Sequence, residues 1–348
     1  MKIRPIETSR IESVDFDNLS FGTTFSDHMF VCPYANDAWG QGEIVPYAPL
    51  QLDPSASALH YGQAIFEGMK AYKDDNGGVF LFRPDQNIKR LNKSAERLAI
   101  PPFPEALFME GLLQLIDLER DWVQAGIGNS LYIRPFVFAS EACVQASPAK
   151  EYQFLIICTP VSSYYDDSKV RVKIADHFSR AAQGGTGYAK AAGNYGGQFY
   201  PTKLAIDEGY QQVIWTDAAT HQNIEEAGTM NLFFYIGNKL ITAPISDSIL
   251  DGVTRKSVIQ LAKDRGIEVE TRQLTISELI NAWETKTLRE VFGTGTAVVV
   301  LPIHGFGYKG KDYSIEQPTD PLALALKKDL TAIQYNQSDD PYGWRVKV

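Results

Sequence analysis

The sequence predicts a two-domain protein of the α/β or α+β class, and three observations carry that reading. At 348 residues the chain exceeds the comfortable size of a single hydrophobic core. Short apolar runs suited to buried strands recur in both halves, interleaved with stretches of helical spacing. A polar segment, Ser162-Ser163-Tyr164-Tyr165-Asp166-Asp167-Ser168, interrupts that pattern near the middle. The expected division is a smaller N-terminal α/β domain over 1–161, a linker over 162–169 and a larger C-terminal domain over 170–348.

In the first half, Pro84 and Asp85 open a helix predicted over 85–99, with Ile88, Leu91, Ala95 and Leu98 at helical spacing. A second helix is predicted over 105–124, and the continuous apolar run 152–161 suits a buried strand. Beyond the boundary, Val170-Arg171-Val172-Lys173-Ile174 alternates with period two. Strands follow at 211–216 and 231–236, then Gly237-Asn238 turns into Lys239-Leu240-Ile241-Thr242. Val258, Leu261 and Ala262 mark a helix over 253–265, set between Gly252 and Gly266, and 291–301 adds a long β-branched run. The glycine-rich loops of this half are expected to face a cleft between the domains.

The composition, 44% hydrophobic and 22% charged, is that of an ordinary globular protein. A net charge of −9 argues against nucleic acid or an anionic membrane as partner, since both need a positive field. No apolar run approaches membrane-spanning length. The opening Met1-Lys2-Ile3-Arg4-Pro5-Ile6-Glu7 lacks an apolar signal core, so a cytoplasmic protein is expected. Cys32, Cys143 and Cys158 form no close pair, which reads as buried thiols in a reducing compartment, and metal-ligand spacing is absent.

Chemistry concentrates in Gly187-Tyr188-Ala189-Lys190-Ala191-Ala192-Gly193-Asn194-Tyr195-Gly196-Gly197 and in Glu226-Ala227-Gly228-Thr229-Met230-Asn231. Most lysines merely face water. Lys190 stands among small residues, which are costly to order unless another body approaches the backbone. Glu226 lies 36 positions downstream. A lysine amine forms a Schiff base with an aldehyde, and a carboxylate against a pyridine nitrogen keeps that nitrogen protonated; together they make pyridoxal phosphate an electron sink. Tyr195, five residues beyond Lys190, is a candidate donor to the cofactor's phenolate oxygen, its plainer reading being an ordinary half-buried tyrosine. A phosphate-binding loop would need Gly-Lys-Ser/Thr where Ala189-Lys190-Ala191 stands. For the phosphate, Gly252-Val253-Thr254-Arg255 at a helix start offers backbone N–H groups. Gly293-Thr294-Gly295-Thr296-Ala297 offers a second set, and Arg90 is a candidate cation.

On these motifs the chain resembles the branched-chain amino acid aminotransferases, pyridoxal-phosphate enzymes of fold type IV. The resemblance covers nearly the whole chain. It runs from Phe21-Gly22-Thr23-Thr24-Phe25 through Tyr61-Gly62-Gln63-Ala64-Ile65-Phe66-Glu67-Gly68-Met69-Lys70 and Tyr132-Ile133-Arg134-Pro135 to the glycine-rich motifs above. It implies Lys190 as the Schiff-base lysine and catalytic acid/base, Glu226 on the pyridine nitrogen, and Tyr195 on the phenolate. It also implies Arg90, Val253, Thr254 and Thr296 around the phosphate. Tyr132, Thr229 and Ala297 would meet the substrate carboxylate, Phe21, Tyr61, Phe66 and Met230 an apolar side chain, and Arg134 the distal carboxylate of 2-oxoglutarate. The implied reaction is ping-pong transamination between leucine, isoleucine or valine and 2-oxoglutarate, in a homodimer whose second subunit closes the pocket. Vertebrate members carry Cys-x-x-Cys where this chain has Val298 and Leu301, so a thiol switch is not expected there. A D-amino acid transaminase or an aminodeoxychorismate lyase of the same fold is the nearest alternative, and a catalytically silent cofactor carrier a more distant one.

Overall fold

The computed structural model describes residues 1–162 and 169–348. Its contacts divide the chain into two compact units: Met1–Tyr164 with Ala189–Gly193 and Ala332–Val348, and Tyr165–Tyr188 with Asn194–Thr331. The linker expected at 162–169 falls, for 163–168, outside the described residues.

A ten-stranded sheet forms the first unit. Its spine is Ser130–Ala139 against Tyr152–Val161, antiparallel in unbroken register from Ser130↔Val161 to Ala139↔Tyr152. The helices Pro84–Arg97 and Glu105–Leu118 bury Ile88, Leu91, Phe108, Leu112 and Leu115 in one core with Phe30, Ile133 and Phe154. Both helices end earlier than their spacing predicts. Ala99, at φ +54°, turns the chain out of the first. After the second, Arg120–Trp122 tightens into a 3-10 turn that points the Trp122 indole N–H at Asp27, 3.0 Å away.

The expected C-terminal domain of 170–348 gives up two pieces to this first unit. Arg345–Lys347 pairs antiparallel with Val79–Phe82, and Ala191 bridges Ile65. An edge strand such as Val79–Phe82 carries unpaired N–H and C=O groups, and the tail satisfies them. Trp344 holds it there, edge-on to Phe82 at 5.7 Å and under the Arg83 guanidinium at 5.0 Å. Three strand residues at a chain end are too few to show a period, which is why the sequence does not announce them.

Eleven strands make the second unit's sheet. Arg171–Ile174 runs parallel to both Gln212–Thr216 and Gly305–Tyr308, and Asn223–Ala227, Met230–Ile236 and Lys239–Thr242 continue outward as an antiparallel meander. Ile214, Ile224, Leu232, Phe234, Val291 and Ile303 share its core. The run predicted at 291–301 is not one strand but a hairpin. Leu288–Gly295 folds back on Val299–Ile303, with Gly295 opposite Val299. The helix Val253–Asp264 begins at Gly252 and ends at Gly266, whose φ of +73° closes it. Among the described residues, no helix is long and apolar enough to cross a membrane, and no cluster of three or more metal-ligating side chains occurs.

Candidate active site

In the first unit the Lys190 backbone is held from two sides. Its N–H donates to Ser94 Oγ at 2.9 Å, and its carbonyl accepts from Phe66 N at 3.1 Å. The amine then lies 4.7 Å from the Phe66 ring centre. On the same ring, also at 4.7 Å, rests the Arg134 guanidinium, whose Nη2 donates to Tyr132 Oη at 3.0 Å. Phe21 meets Tyr132 edge-on at 5.2 Å. Phe21, Phe66, Tyr132, Arg134 and Lys190 thus form one continuous group. Gly68 makes it possible, since a Cβ there would sit 2.1 Å from Tyr132 Oη. Tyr61 stands apart, 48% exposed, with its hydroxyl donating to Val144 O.

Arg90, read from the sequence as a phosphate ligand, is engaged with a carboxylate. Its Nε and Nη2 grip Glu67 at 2.7 and 2.8 Å, and Glu67 Oε2 also accepts from Asn87 Nδ2 at 2.7 Å and Gly68 N at 3.1 Å. Burial alone would push the Glu67 carboxyl up, yet the charges of Arg90 and Lys190 and the Asn87 hydrogen bond hold it below the usual carboxylate value.

Glu226 is buried on the Asn223–Ala227 strand of the second unit. Oε1 meets Arg180 Nη2 at 2.5 Å, and Oε2 accepts from Leu250 N at 3.1 Å and Asn231 Nδ2 at 3.2 Å. Arg180 is itself fixed by donating to Gly187 O and Ser248 O, each at 2.8 Å. Asn231 also donates to Leu250 O at 2.9 Å, and a Cβ on Gly252 would fall 2.0 Å from its Oδ1. Glycine at 252 therefore lets one asparagine tie the Glu226 carboxylate to the start of the Val253–Asp264 helix. That helix has no side-chain cap, so its first turn offers backbone N–H groups to an anion. Val253 and Thr254 are buried at that end.

Thr296 and Ala297 occupy the turn of the 288–303 hairpin, half-buried. Thr229 is exposed at the turn after Glu226, and Met230 is buried against Gly293 in the apolar core. Tyr195 lies half-buried in the short Ala192–Gly196 helix. Beside it, Asn194 exchanges hydrogen bonds with Thr186 at 2.7 and 2.8 Å.

Sequence reasoning gave no role to Glu67, Asn87, Ser94, Arg180 or Asn231. Asn87, Arg90 and Ser94 share one helix face, a spacing the sequence does display. Arg180 carries no local signal.

Residues 64–306 match the family model described as amino-transferase class IV. Over 342 residues the chain is 46% identical to branched-chain-amino-acid transaminase 1 of Bacillus subtilis (strain 168), covering 97% of this chain and 96% of that one. The chain belongs to the branched-chain-amino-acid aminotransferases of class IV. The fold agrees. The branched-chain amino acid aminotransferase of Escherichia coli superposes with a TM-score of 0.74 at 26% identity, covering 92% of this chain and 98% of the other. A T.th. branched-chain amino acid aminotransferase complexed with N-(5'-phosphopyridoxyl)-L-glutamate gives a TM-score of 0.71 at 25% identity, with 90% and 97% covered. This aminotransferase thus has the two-unit mixed α/β architecture of fold type IV.

Proposed function

We infer that this aminotransferase moves the amino group between leucine, isoleucine or valine and 2-oxoglutarate by a ping-pong route, with pyridoxal 5'-phosphate as cofactor. The observation that carries the reading is the placement of Lys190: backbone pinned by Ser94 and Phe66, amine beside an aromatic ring and an arginine. The donor set suits the cofactor, since a lysine amine, a carboxylate braced by a guanidinium, and an uncapped helix start are what an aldehyde, a pyridine nitrogen and a phosphate each require.

When bound, pyridoxal phosphate supplies an electron sink for the charge left at the substrate α-carbon. Lys190 would hold the cofactor through its amine and would move the α-proton as acid and base. Glu226, its carboxylate aimed by Arg180, Leu250 N–H and Asn231, keeps the ring nitrogen protonated. Tyr195 would donate to the phenolate oxygen. The first-turn N–H groups at Val253 and Thr254, together with Thr296 and Arg90, would hold the phosphate. Tyr132, Thr229 and Ala297 would orient the substrate carboxylate, and Phe21 and Phe66, beside the Lys190 amine, would present an apolar wall to its side chain. Arg134 receives the distal carboxylate of 2-oxoglutarate. Its Nε, buried with no acceptor among the described residues, supports that role.

The working form is a homodimer in the cytoplasm. Leu59, Tyr61 and Val144 are 61%, 48% and 63% exposed, apolar surface that a second copy of the chain would cover, and three free cysteines suit a reducing compartment. A steady-state panel of branched, aromatic and acidic amino donors tests the substrate class. Borohydride trapping with peptide mapping tests Lys190, and analytical ultracentrifugation tests the dimer. A D-specific donor preference would move the chain to another activity of the same fold.

A further inference from the structure

The loop that closes on Glu226 is itself held by the residue beside Glu226. Residues 243–252 link the strand Lys239–Thr242 to the helix Val253–Asp264, and this loop reaches both Glu226 oxygens. Leu250 N–H donates to Oε2 at 3.1 Å, and Ser248 O accepts at 2.8 Å from the Arg180 Nη2 that meets Oε1 at 2.5 Å. Nη2 carries two hydrogens for three acceptors, Glu226 Oε1, Ser248 O and Gly187 O. Arg180 Nε is buried with no acceptor among the described residues, so the guanidinium is placed by where those two carbonyls stand. They come together because residue 187 is glycine, whose added Cβ would fall 2.6 Å from Ser248 Cα and 2.7 Å from Asp247 O. Ser248 is held in turn from its hydroxyl, which donates to Glu225 Oε1 and lies 3.2 Å from Ser246 Oγ. The functional reading assigns Glu225 no task. Its carboxyl is half-buried, and burial pushes it up against the Ser248 hydrogen bond that lowers it.

We propose that Glu225 is a positioning residue for Glu226: it holds the Ser248 hydroxyl, the Ser248 carbonyl thereby holds the Arg180 guanidinium, and the guanidinium aims the Glu226 carboxylate at the cofactor's ring nitrogen. The proposal rests on the functional reading above. Every link is a hydrogen bond or ion pair inside the second unit. Glu225 and Glu226 are neighbours on the Asn223–Ala227 strand, so one short segment anchors both ends of the circuit. A shift of the loop against that strand is opposed at two points, Ser248 and Leu250. Aim matters because a hydrogen bond weakens steeply as its angle and distance degrade, and a carboxylate that has swung aside no longer keeps a ring nitrogen protonated.

The test compares Glu225→Ala, Glu225→Gln and Ser248→Ala with the wild-type protein. Before cofactor is added, amide exchange at Leu250 and Tyr188 reads the loop directly, since these N–H groups donate to Glu226 Oε2 at 3.1 Å and to Asp247 O at 2.9 Å. Both Ala variants should speed it by about tenfold, the size expected when one hydrogen bond to a charged group is lost. In the holoenzyme, the NMR shift of an isotope-labelled ring nitrogen reads its protonation, and both Ala variants should move it toward the unprotonated position. For leucine, kcat should fall by about tenfold in each while KM changes less. The two substitutions cut one link from opposite ends, so the double variant should lose no more than either alone. Glu225→Gln keeps an oxygen that accepts from Ser248 and should stay within about threefold of wild type, as a relay through hydrogen bonds requires. A Gln variant as slow as the Ala variant, additive losses in the double variant, or unchanged amide exchange overturns the proposal. If Glu225→Ala fails to fold, Ser248→Ala decides, because an unmoved ring-nitrogen signal there overturns it equally. A wild-type protein that gives no cofactor signal brings down the functional reading and this proposal together; a normal signal that the Ala variants leave unmoved brings down the proposal alone.

Discussion

Each unit buries a carboxylate against a guanidinium, and the two pairs are built in opposite ways. Glu67 is gripped by Arg90 through two nitrogens, and Arg90 and Asn87 come from one helix, Pro84–Arg97. Glu226 meets Arg180 through Nη2, and partners reach it from separate segments: Arg180 in a loop, Asn231 on the next strand, and Leu250 before a helix. The first pair is local and two-pronged, so it fixes orientation cheaply once the helix forms. The second assembles only when distant chain segments have already met. Part of its geometry is stored in backbone contacts, the Arg180 bonds to Gly187 O and Ser248 O and the Asn231 bond to Leu250 O. A local clamp suits a static neighbour of the reacting lysine, whereas a convergent one lets a single carboxylate orient a loop, a strand and a helix start together.

The comparison fails at its root if the first unit does not supply the reacting amine. Lys190→Ala should lower turnover by about 10⁴-fold, the upper range for loss of a positioned proton-transfer group, and leave no borohydride-stable adduct. Residual activity within tenfold of wild type would move the chemistry elsewhere. Next in size come the cations of the two pairs. Arg90→Met and Arg180→Met each strand a buried carboxylate, and each should cost about 3–5 kcal/mol in denaturant unfolding. The Arg180 variant should in addition loosen the segment around Gly187, read as faster amide exchange there. Exchange that rises equally around the Pro84–Arg97 helix in both variants would erase the distinction between local and convergent clamps.

The sign of the pH dependence sharpens the same point. Glu67 titrates below its unfolded value, so its contribution to stability is present above the ordinary carboxylate range and is lost as pH falls through the depressed value. Glu67→Gln should therefore differ most from wild type at neutral pH and converge with it in acid. A stability gap that stays constant down to acid pH contradicts the charge-based account.

A smaller effect separates the two substrates. Arg134→Met removes the cation resting on Phe66 and Tyr132, and the loss of kcat/KM should be at least about tenfold larger for 2-oxoglutarate than for leucine, since an unpaired buried carboxylate costs roughly 2–5 kcal/mol. Single-turnover measurements of each half-reaction check it, and equal losses would leave Arg134 a structural arginine. The smallest expected effect is none at all. Val298 and Leu301 are buried in the second unit's core, so mild peroxide should produce no dithiol-reversible loss of activity through that position. Reversible inactivation would redirect attention to Cys32, Cys143 and Cys158.

Much of this was legible in the sequence, and the pattern of what was legible follows the range of the interactions. Strand 152–161 and the helices opening at 84 and 253 announce themselves by period and by Pro and Gly at their ends, because those signals are carried by adjacent residues. The motif around Lys190 and the Glu226-to-Asn231 segment stood out for their small residues and their chemistry, and the family followed from them. The hairpin within 291–301 was hidden because a β-branched run reads alike whether or not it reverses at Gly295.

Tertiary structure decided the rest. The pairing of Arg345–Lys347 with Val79–Phe82 depends on which sheet edge is left open, and no local pattern encodes that. That Arg180 braces Glu226 across 46 positions of sequence (226 − 180), and that Ser94 rather than a residue near it in the chain holds the Lys190 backbone, are selections made by packing. Periodicities, helix starts and the identity of the reactive groups are readable along the chain, since these rest on each residue's own chemistry and on neighbours within a turn or two. Which charges face one another, and so which proton stays where, was left to the fold, because Coulomb and hydrogen-bond energies depend on distance in space rather than on separation along the chain.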